Sequence, residues 1–583
     1  MVTLANSGIA PASRRSARRS LLPGVMVGAA VAVSICVIAL LAVILFLSFT
    51  DGTPGGALDY TLAHYGEVFT AAITWRVLYN TLVFSFVSLA CALALALPIA
   101  WLVERTDLKG KPIVFTFMTI GLLLPGFSVA LGWMYLLHPR IGVVNKMLME
   151  TLGLSEPPIN VATVFGMGLI NGLTLAPLAF IMTAVVLRAM DASLEEAAKM
   201  AGANLWQTLC RITLPLAWTG VLAASIYVFT IGFAAFDVPA ILGLGAKIYT
   251  FSTYVFQNVS PFDGLPEYGV VATLSVIMVA LAAVLTWWYT RLARHAQRFA
   301  VVTGKAYRPN RVKLGRWKWS AIAFIAVFFV FNELLPLIML AWTAGLPYLQ
   351  TFSAGAIGQL SFDNFRTLPE NAVIGGVKST AILMALVPTI TVFLSLAISW
   401  VVLRSRIKGR AWFDFFAFLP HCVPSICFSV AAWLLALFVL RDVLPIYGTI
   451  WILVLVYVIA RVSYGTRMTN GALIQIHKEL EESATVCGAA TGGVLRAVII
   501  PLLTPAMMYA WVWMALLTYR ELTLPVILST TNTQPLSVVV WGLVYGSHFG
   551  HASVVTLIMV GLMAPILLVY WIVARRTGLL ATN

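Results

Sequence analysis

Long apolar runs separated by short polar islands recur from one end of the chain to the other. A first series lies near 22–48, 77–103, 113–137, 162–187, 217–243 and 268–290. A second lies near 319–345, 375–403, 411–440, 449–466, 503–529 and 552–574. Such runs are long enough to cross a hydrocarbon layer of about 30 Å as helices. Their apolarity is continuous rather than alternating, which selects helices over barrel strands. In lipid each helix also satisfies its own backbone groups. The pattern predicts an all-α integral membrane protein with twelve transmembrane helices.

Composition agrees. The 583 residues are 61% hydrophobic and 10% charged, with a mean hydropathy of +0.94. A soluble chain would carry about 25% charge. The net charge of +15 would suggest nucleic acid in a soluble protein. Here the basic residues cluster between the runs, so they report topology, and no nucleic-acid partner is expected. With the N-terminus in the cytosol, most of the 37 Lys and Arg residues fall on the cytosolic side, Arg461 among them. Arg76, Arg140, Lys146, Lys247, Arg366, Lys378 and Arg441 fall on the other side, and Arg520 inside a run. Arg14, Arg15, Arg18 and Arg19 precede an apolar run too long for a signal peptide. It is expected to stay as the first helix, with both termini cytosolic.

The two series are an internal repeat. Thr81, Trp101 and Pro125 match Thr380, Trp400 and Pro424 at an offset of 299. Later landmarks match at 286, which puts an insertion in the first half near 138–161. The expected organisation is a basic tail at 1–20, a first half at 21–295, a basic linker at 296–318 and a second half at 319–583. Two six-helix halves insert in the same orientation, so they form parallel repeats about an axis along the membrane normal.

One polar island is duplicated. At 191–215, Glu196-Ala197-Ala198 is followed by Gly202 and then Ile212-Thr213-Leu214-Pro215. At 477–501, Glu482-Ser483-Ala484 is followed by Gly488 and then Val498-Ile499-Ile500-Pro501 at the same spacing. Ser193 before Glu196 has capping-box spacing, and Glu195 and Glu196 favour a first helical turn. The small residues permit close approach by another surface. Gly202 is expected to weaken and bend the helix, and Pro215 to enter the first turn of the next span. The second copy has Glu479 where the first has the capping Ser193.

This double pattern resembles the EAA loop of permease subunits in binding-protein-dependent ABC importers, and the resemblance covers both halves. It implies a type I ABC importer-like fold in the bacterial cytoplasmic (inner) membrane. In that family the loop is a coupling helix that docks on an ATPase subunit. The resemblance therefore assigns ATPase coupling to Glu196, Ala197, Ala198, Gly202, Ile212 and Pro215, and to Glu482, Ser483, Ala484, Gly488, Val498 and Pro501. The implied partners are a dimer of cytosolic ATP-binding subunits, an extracytoplasmic substrate-binding protein and the lipid bilayer. The chain has no G-x-x-x-x-G-K-[ST] segment, so it is read as a transport subunit rather than an enzyme, with no cofactor of its own and ATP held by the partner. The fused arrangement and Arg520-Glu521-Leu522-Thr523-Leu524-Pro525 are similar to ferric-iron permeases. Ferric iron is the first expected cargo. A phosphonate, sugar phosphate, thiamine or polyamine is the alternative within the class, and an ion-coupled secondary transporter the alternative outside it.

Ionisable groups inside a span are costly and face a cavity or a partner. Asp237 with Pro239, and Arg520 and Glu521 with Pro525, are candidates for a translocation pathway or gate. They are equally candidates for a structural pair, Asp237 with Arg520, and the prolines are expected to break their helices nearby. His421, Cys422, Cys427, His548 and His551 lack an evident set of partner ligands, so no metal site is expected.

Overall fold

The structure is a computed structural model that describes residues 22–190, 193–261, 265–297 and 312–576. The basic tail and the central part of the basic linker lie outside the described residues. Among the described residues, nine helices are long and apolar enough to cross a membrane, or up to twelve if each of three bent pairs is one span.

The first half contains α1 (Leu22–Leu47), α2 (Ala72–Arg105), α3 (Lys111–Leu123), α4 (Gly126–Leu137), α5 (Val143–Leu152) and α6 (Val164–Ala189). It continues with α7 (Ser193–Met200), α8 (Leu214–Ala234), α9 (Asp237–Gly243), α10 (Phe251–Val259) and α11 (Tyr268–Gln297). The second half contains α12 (Trp317–Ala344), α13 (Glu370–Arg404), α14 (Arg410–Cys422), α15 (Ser425–Phe438) and α16 (Ile450–Ile474). It ends with α17 (Lys478–Val486), α18 (Ile500–Tyr519), α19 (Thr523–Leu528), α20 (Leu536–Tyr545) and α21 (Phe549–Arg576). Helix α5 fills the expected insertion of the first half.

Two apolar runs that hydropathy renders as single spans are sharply bent. The α3–α4 pair turns by 88° and the α14–α15 pair by 108°. The cause is local. Leu124 and Val423 are extended, and each precedes a proline, Pro125 or Pro424, that disfavours helical geometry before it. The runs 217–243 and 503–529 also break, after Ala234 and after Tyr519. Pro239 and Pro525 do not sit at these breaks. Each is the third residue of the short helix that follows, α9 or α19, where its missing N–H would have no partner within the helix.

The tightest packing within each half is α2 against α6 and α13 against α16. The leading helices cross over: α1 packs on α13 and α15 of the second half, and α12 packs on α4 of the first. At the second crossing a Cβ on Gly132 would lie 2.5 Å from the Pro336 Cα, so only glycine permits that approach. One hydrophobic core, including Phe127, Phe236, Phe428, Tyr457 and Leu524, runs through both halves.

Candidate functional site

The duplicated island folds the same way twice. Helix α7 is followed by Gly202 at φ +85°, and α17 by Gly488 at φ +88°. Gly202 donates to the Lys199 carbonyl, and Ala203 to that of Ala198. Gly488 donates to the Thr485 carbonyl, and Ala489 to that of Ala484. These are Schellman closures, which need a left-handed residue and so favour glycine. The two glycines end their helices rather than bend them. Five residues of π-helix then lead into the next span in each copy, Leu209–Thr213 and Leu495–Ile499. Ile212 and Val498 lie in those turns, and Pro215 and Pro501 in the first turns of α8 and α18. Ala197, Glu482 and Ser483 are exposed, Glu196 and Ala484 half-buried, and Ala198 buried. Helix α17 follows His477 without a side-chain cap. The residues just before α7 lie outside the described residues.

Each of these helices is held from inside by an arginine that sequence reasoning left unassigned. Arg105, the last residue of α2, lies 3.3 Å from Glu195 in the first turn of α7, with side-chain exposures of 5% and 9%. The contact is ionic rather than an aligned hydrogen bond through Nε. Arg105 also donates to the Met190 carbonyl at 3.4 Å, and the Thr213 hydroxyl donates to Glu195 at 2.9 Å. In the second half Arg404, the last residue of α13, bonds Glu481 at 2.5 Å. It also donates to the carbonyls of Leu473 and Ile476 at 3.0 and 2.9 Å. The signal for this was present: Arg105 and Arg404 repeat at offset 299, and Glu195 and Glu481 at 286.

Between the halves lies a cavity of about 350 Å³ lined by Asp237, Arg461, Arg520, Glu521, Tyr464 and His421, among others. Arg461 and Glu521 form an ion pair. Arg461 was assigned above to a cytosolic segment, but it lies midway along α16 and is buried. Arg520 donates to the carbonyl of Leu122, at the end of α3 in the other half. A broken helix leaves such carbonyls without internal partners, which makes it a natural acceptor. Asp237 opens α9 with its carboxylate 3.2 Å from where a Gly126 Cβ would stand. It faces Arg520, Glu521 and Thr523. Thr523 is its own counterpart at offset 286, so the repeat axis passes between them. Pro239 and Pro525 are buried and are not part of the lining.

His421 stacks on Tyr227 with ring centroids 5.7 Å apart and meets Tyr464 edge-on at 5.1 Å. Cys427 is buried and its thiol points to the Ser275 carbonyl. His551 bonds the Thr367 hydroxyl at 3.0 Å. Among the described residues, no three His, Cys, Asp or Glu side chains converge as a metal site would require.

Residues 96–298 match the family of binding-protein-dependent transport system inner membrane components. That match spans about a third of the chain, and the relatives below extend the similarity to transport permeases over most of its length. The ferric transport system permease protein FbpB of Actinobacillus pleuropneumoniae is 25% identical over 92% of this chain and 78% of its own length. The Fe(3+)-transport system permease protein FbpB 2 of Haemophilus influenzae is 22% identical over 83% and 87%. A bacterial ABC transporter that imports the acidic polysaccharide alginate has a chain 18% identical to this one. The match covers 46% of this chain and 95% of that one, with a TM-score of 0.34.

Proposed function

We propose that the chain is the membrane permease of an ATP-driven ferric iron importer, with both permease halves fused and twelve spans counted by treating each bent pair as one. Helices α7 and α17 are its cytosolic coupling helices, docking on a dimer of ATP-binding subunits. A substrate-binding protein delivers cargo from the other side. The observation that carries this reading is the pair of matching short helices, each closed by a left-handed glycine and each leading into a span that lines one cavity. Closure of the ATPase dimer would draw the two helices together and rock the halves about the axis between Asp237 and Thr523. Ferric iron as cargo is supported by the named relatives. Arg461 and Arg520 both bond protein acceptors, so neither is set aside for an anionic cargo.

The test is reconstitution of the chain in liposomes with its ATP-binding subunit and a binding protein loaded with radioactive ferric iron. ATP-dependent uptake is expected, and the Glu196→Lys, Glu482→Lys double variant should lose co-purification of the ATPase. Uptake that persists without the ATP-binding subunit would favour an ion-coupled transporter instead.

A further inference from the structure

We infer that Arg105–Glu195 and Arg404–Glu481 are two latches that fix the coupling helices to the transmembrane bundle, and that they set how much ATPase motion reaches the cavity. The inference rests on the importer reading above and adds positioning residues to it.

The argument starts from where the arginines sit. Arg105 and Arg404 end α2 and α13, the helices most closely packed on α6 and α16. Those latter helices lead directly into α7 and α17. Each arginine therefore joins the outgoing span, the short helix and its neighbour at one point. Arg105 reaches Glu195 and the Met190 carbonyl, and Arg404 reaches Glu481 and the carbonyls of Leu473 and Ile476. Free carbonyls at a helix end attract a cation, so the same guanidinium also closes the end of the incoming span.

All four side chains are at most 16% exposed. A surface pair would be screened and contribute little, whereas a buried pair resists separation because each charge would be left without water or partner. Glu195 and Glu481 stand one residue before Glu196 and Glu482, so they project in a different direction on the same short helix. One glutamate of each pair holds the bundle, and in the second half the next, Glu482, is exposed on the helix. A short helix fixed on one face transmits a push on the other. A helix free to pivot would absorb it.

The first latch has an added restraint. Val312, near the end of the linker, pairs with the backbone at Thr106, and Asp107 accepts from the Leu314 N–H at 3.0 Å. The chain entering the second half is thus tied to the residues next to Arg105.

The experiment uses the reconstituted complex and measures iron taken up per ATP hydrolysed. Arg105→Gln and Arg404→Gln should each keep ATPase co-purification and basal hydrolysis, yet lower uptake per ATP about tenfold, within the usual range of coupling between sites. Exchanged pairs, R105E with E195R and R404E with E481R, should recover part of that loss. They retain both charges, so they also carry the test if the single variants fail to insert. Unchanged uptake per ATP in the single variants overturns the inference, as does loss of ATPase co-purification in the exchanged pairs. Failure of the unaltered complex to take up iron would instead strike the importer reading, so the two failures are distinguishable.

Discussion

The ends of the helix bundle and its centre treat the internal repeat differently. At the latches, arginine faces glutamate in both halves, at matching positions. In the cavity, Arg461, Arg520 and Glu521 come from the second half, and their counterparts in the first are Leu175, Ala234 and Ala235. Asp237 comes from the first half and meets Thr523. The aromatic set is unequal too, since Tyr227 corresponds to Trp513 and His421 to Leu122. A surface that meets two identical partners gains from duplication. A passage that carries one small cargo along an axis does not, because each duplicated charge would repel its own copy across the axis. On the importer reading proposed above, the repeat serves mechanical coupling, while departures from it mark the pathway.

The strongest way to break this comparison is at the Arg461–Glu521 pair. Glu521→Gln leaves a buried guanidinium without its counter-charge, which should cost about 3 kcal/mol of stability. The first half shows what that depth tolerates without charge, namely Leu175 and Ala235. The double variant R461L with E521A copies them and should recover stability to within about 1 kcal/mol, since apolar replacement of a buried pair is often neutral. Its uptake should nevertheless be abolished. Thermal unfolding in detergent measures the first outcome, and iron uptake the second. Full uptake in the double variant would reduce the pair to a structural element.

Moving the axial carboxylate is the next test. Asp237→Thr should lower uptake about tenfold, a loss of roughly 1.4 kcal/mol at the transition state for passage. Adding Thr523→Asp places the carboxylate across the axis, near the same Arg520. Recovery of uptake in the exchanged protein would mean that only the charge on the axis matters. Continued loss would mean that the half supplying it matters as well. The latter is expected, because Glu521, two residues before Thr523, would repel a new carboxylate there.

Much of this was legible in the sequence. Hydropathy located the long apolar helices, and the repeat located both copies of the short polar helix. It failed where side-chain direction or a local break decides. The runs 113–137 and 411–440 are uniformly apolar, so only Leu124-Pro125 and Val423-Pro424 could reveal their bends. Arg461 lies near the end of an apolar run, where a basic residue reads as a flank, and α16 extends to Ile474 beyond that run. Glu195 went unassigned because Glu196 carries the motif and adjacent glutamates look alike in one dimension. Gly202 was read as a helix weakener, although its place after a short helix was already that of a left-handed cap.

The smallest predicted effect separates the two latches from each other. Glu195 accepts from Thr213 as well as pairing with Arg105, whereas the position equivalent to Thr213 in the second half is Ile499. Thr213→Val keeps the shape of the side chain and removes one hydrogen bond to a charged group. The direct cost should be about 1.5 kcal/mol. Arg105 still neutralises Glu195 in this variant, so α7 should stay docked and uptake per ATP should fall only about threefold, less than for Arg105→Gln. The first latch would then resemble the second, which has no hydroxyl at that site and relies on two carbonyl contacts from Arg404 instead. A loss in Thr213→Val as large as that in Arg105→Gln would show that the hydroxyl, not the ion pair, holds the first helix. The apparent equivalence of the two latches would then be one of position alone.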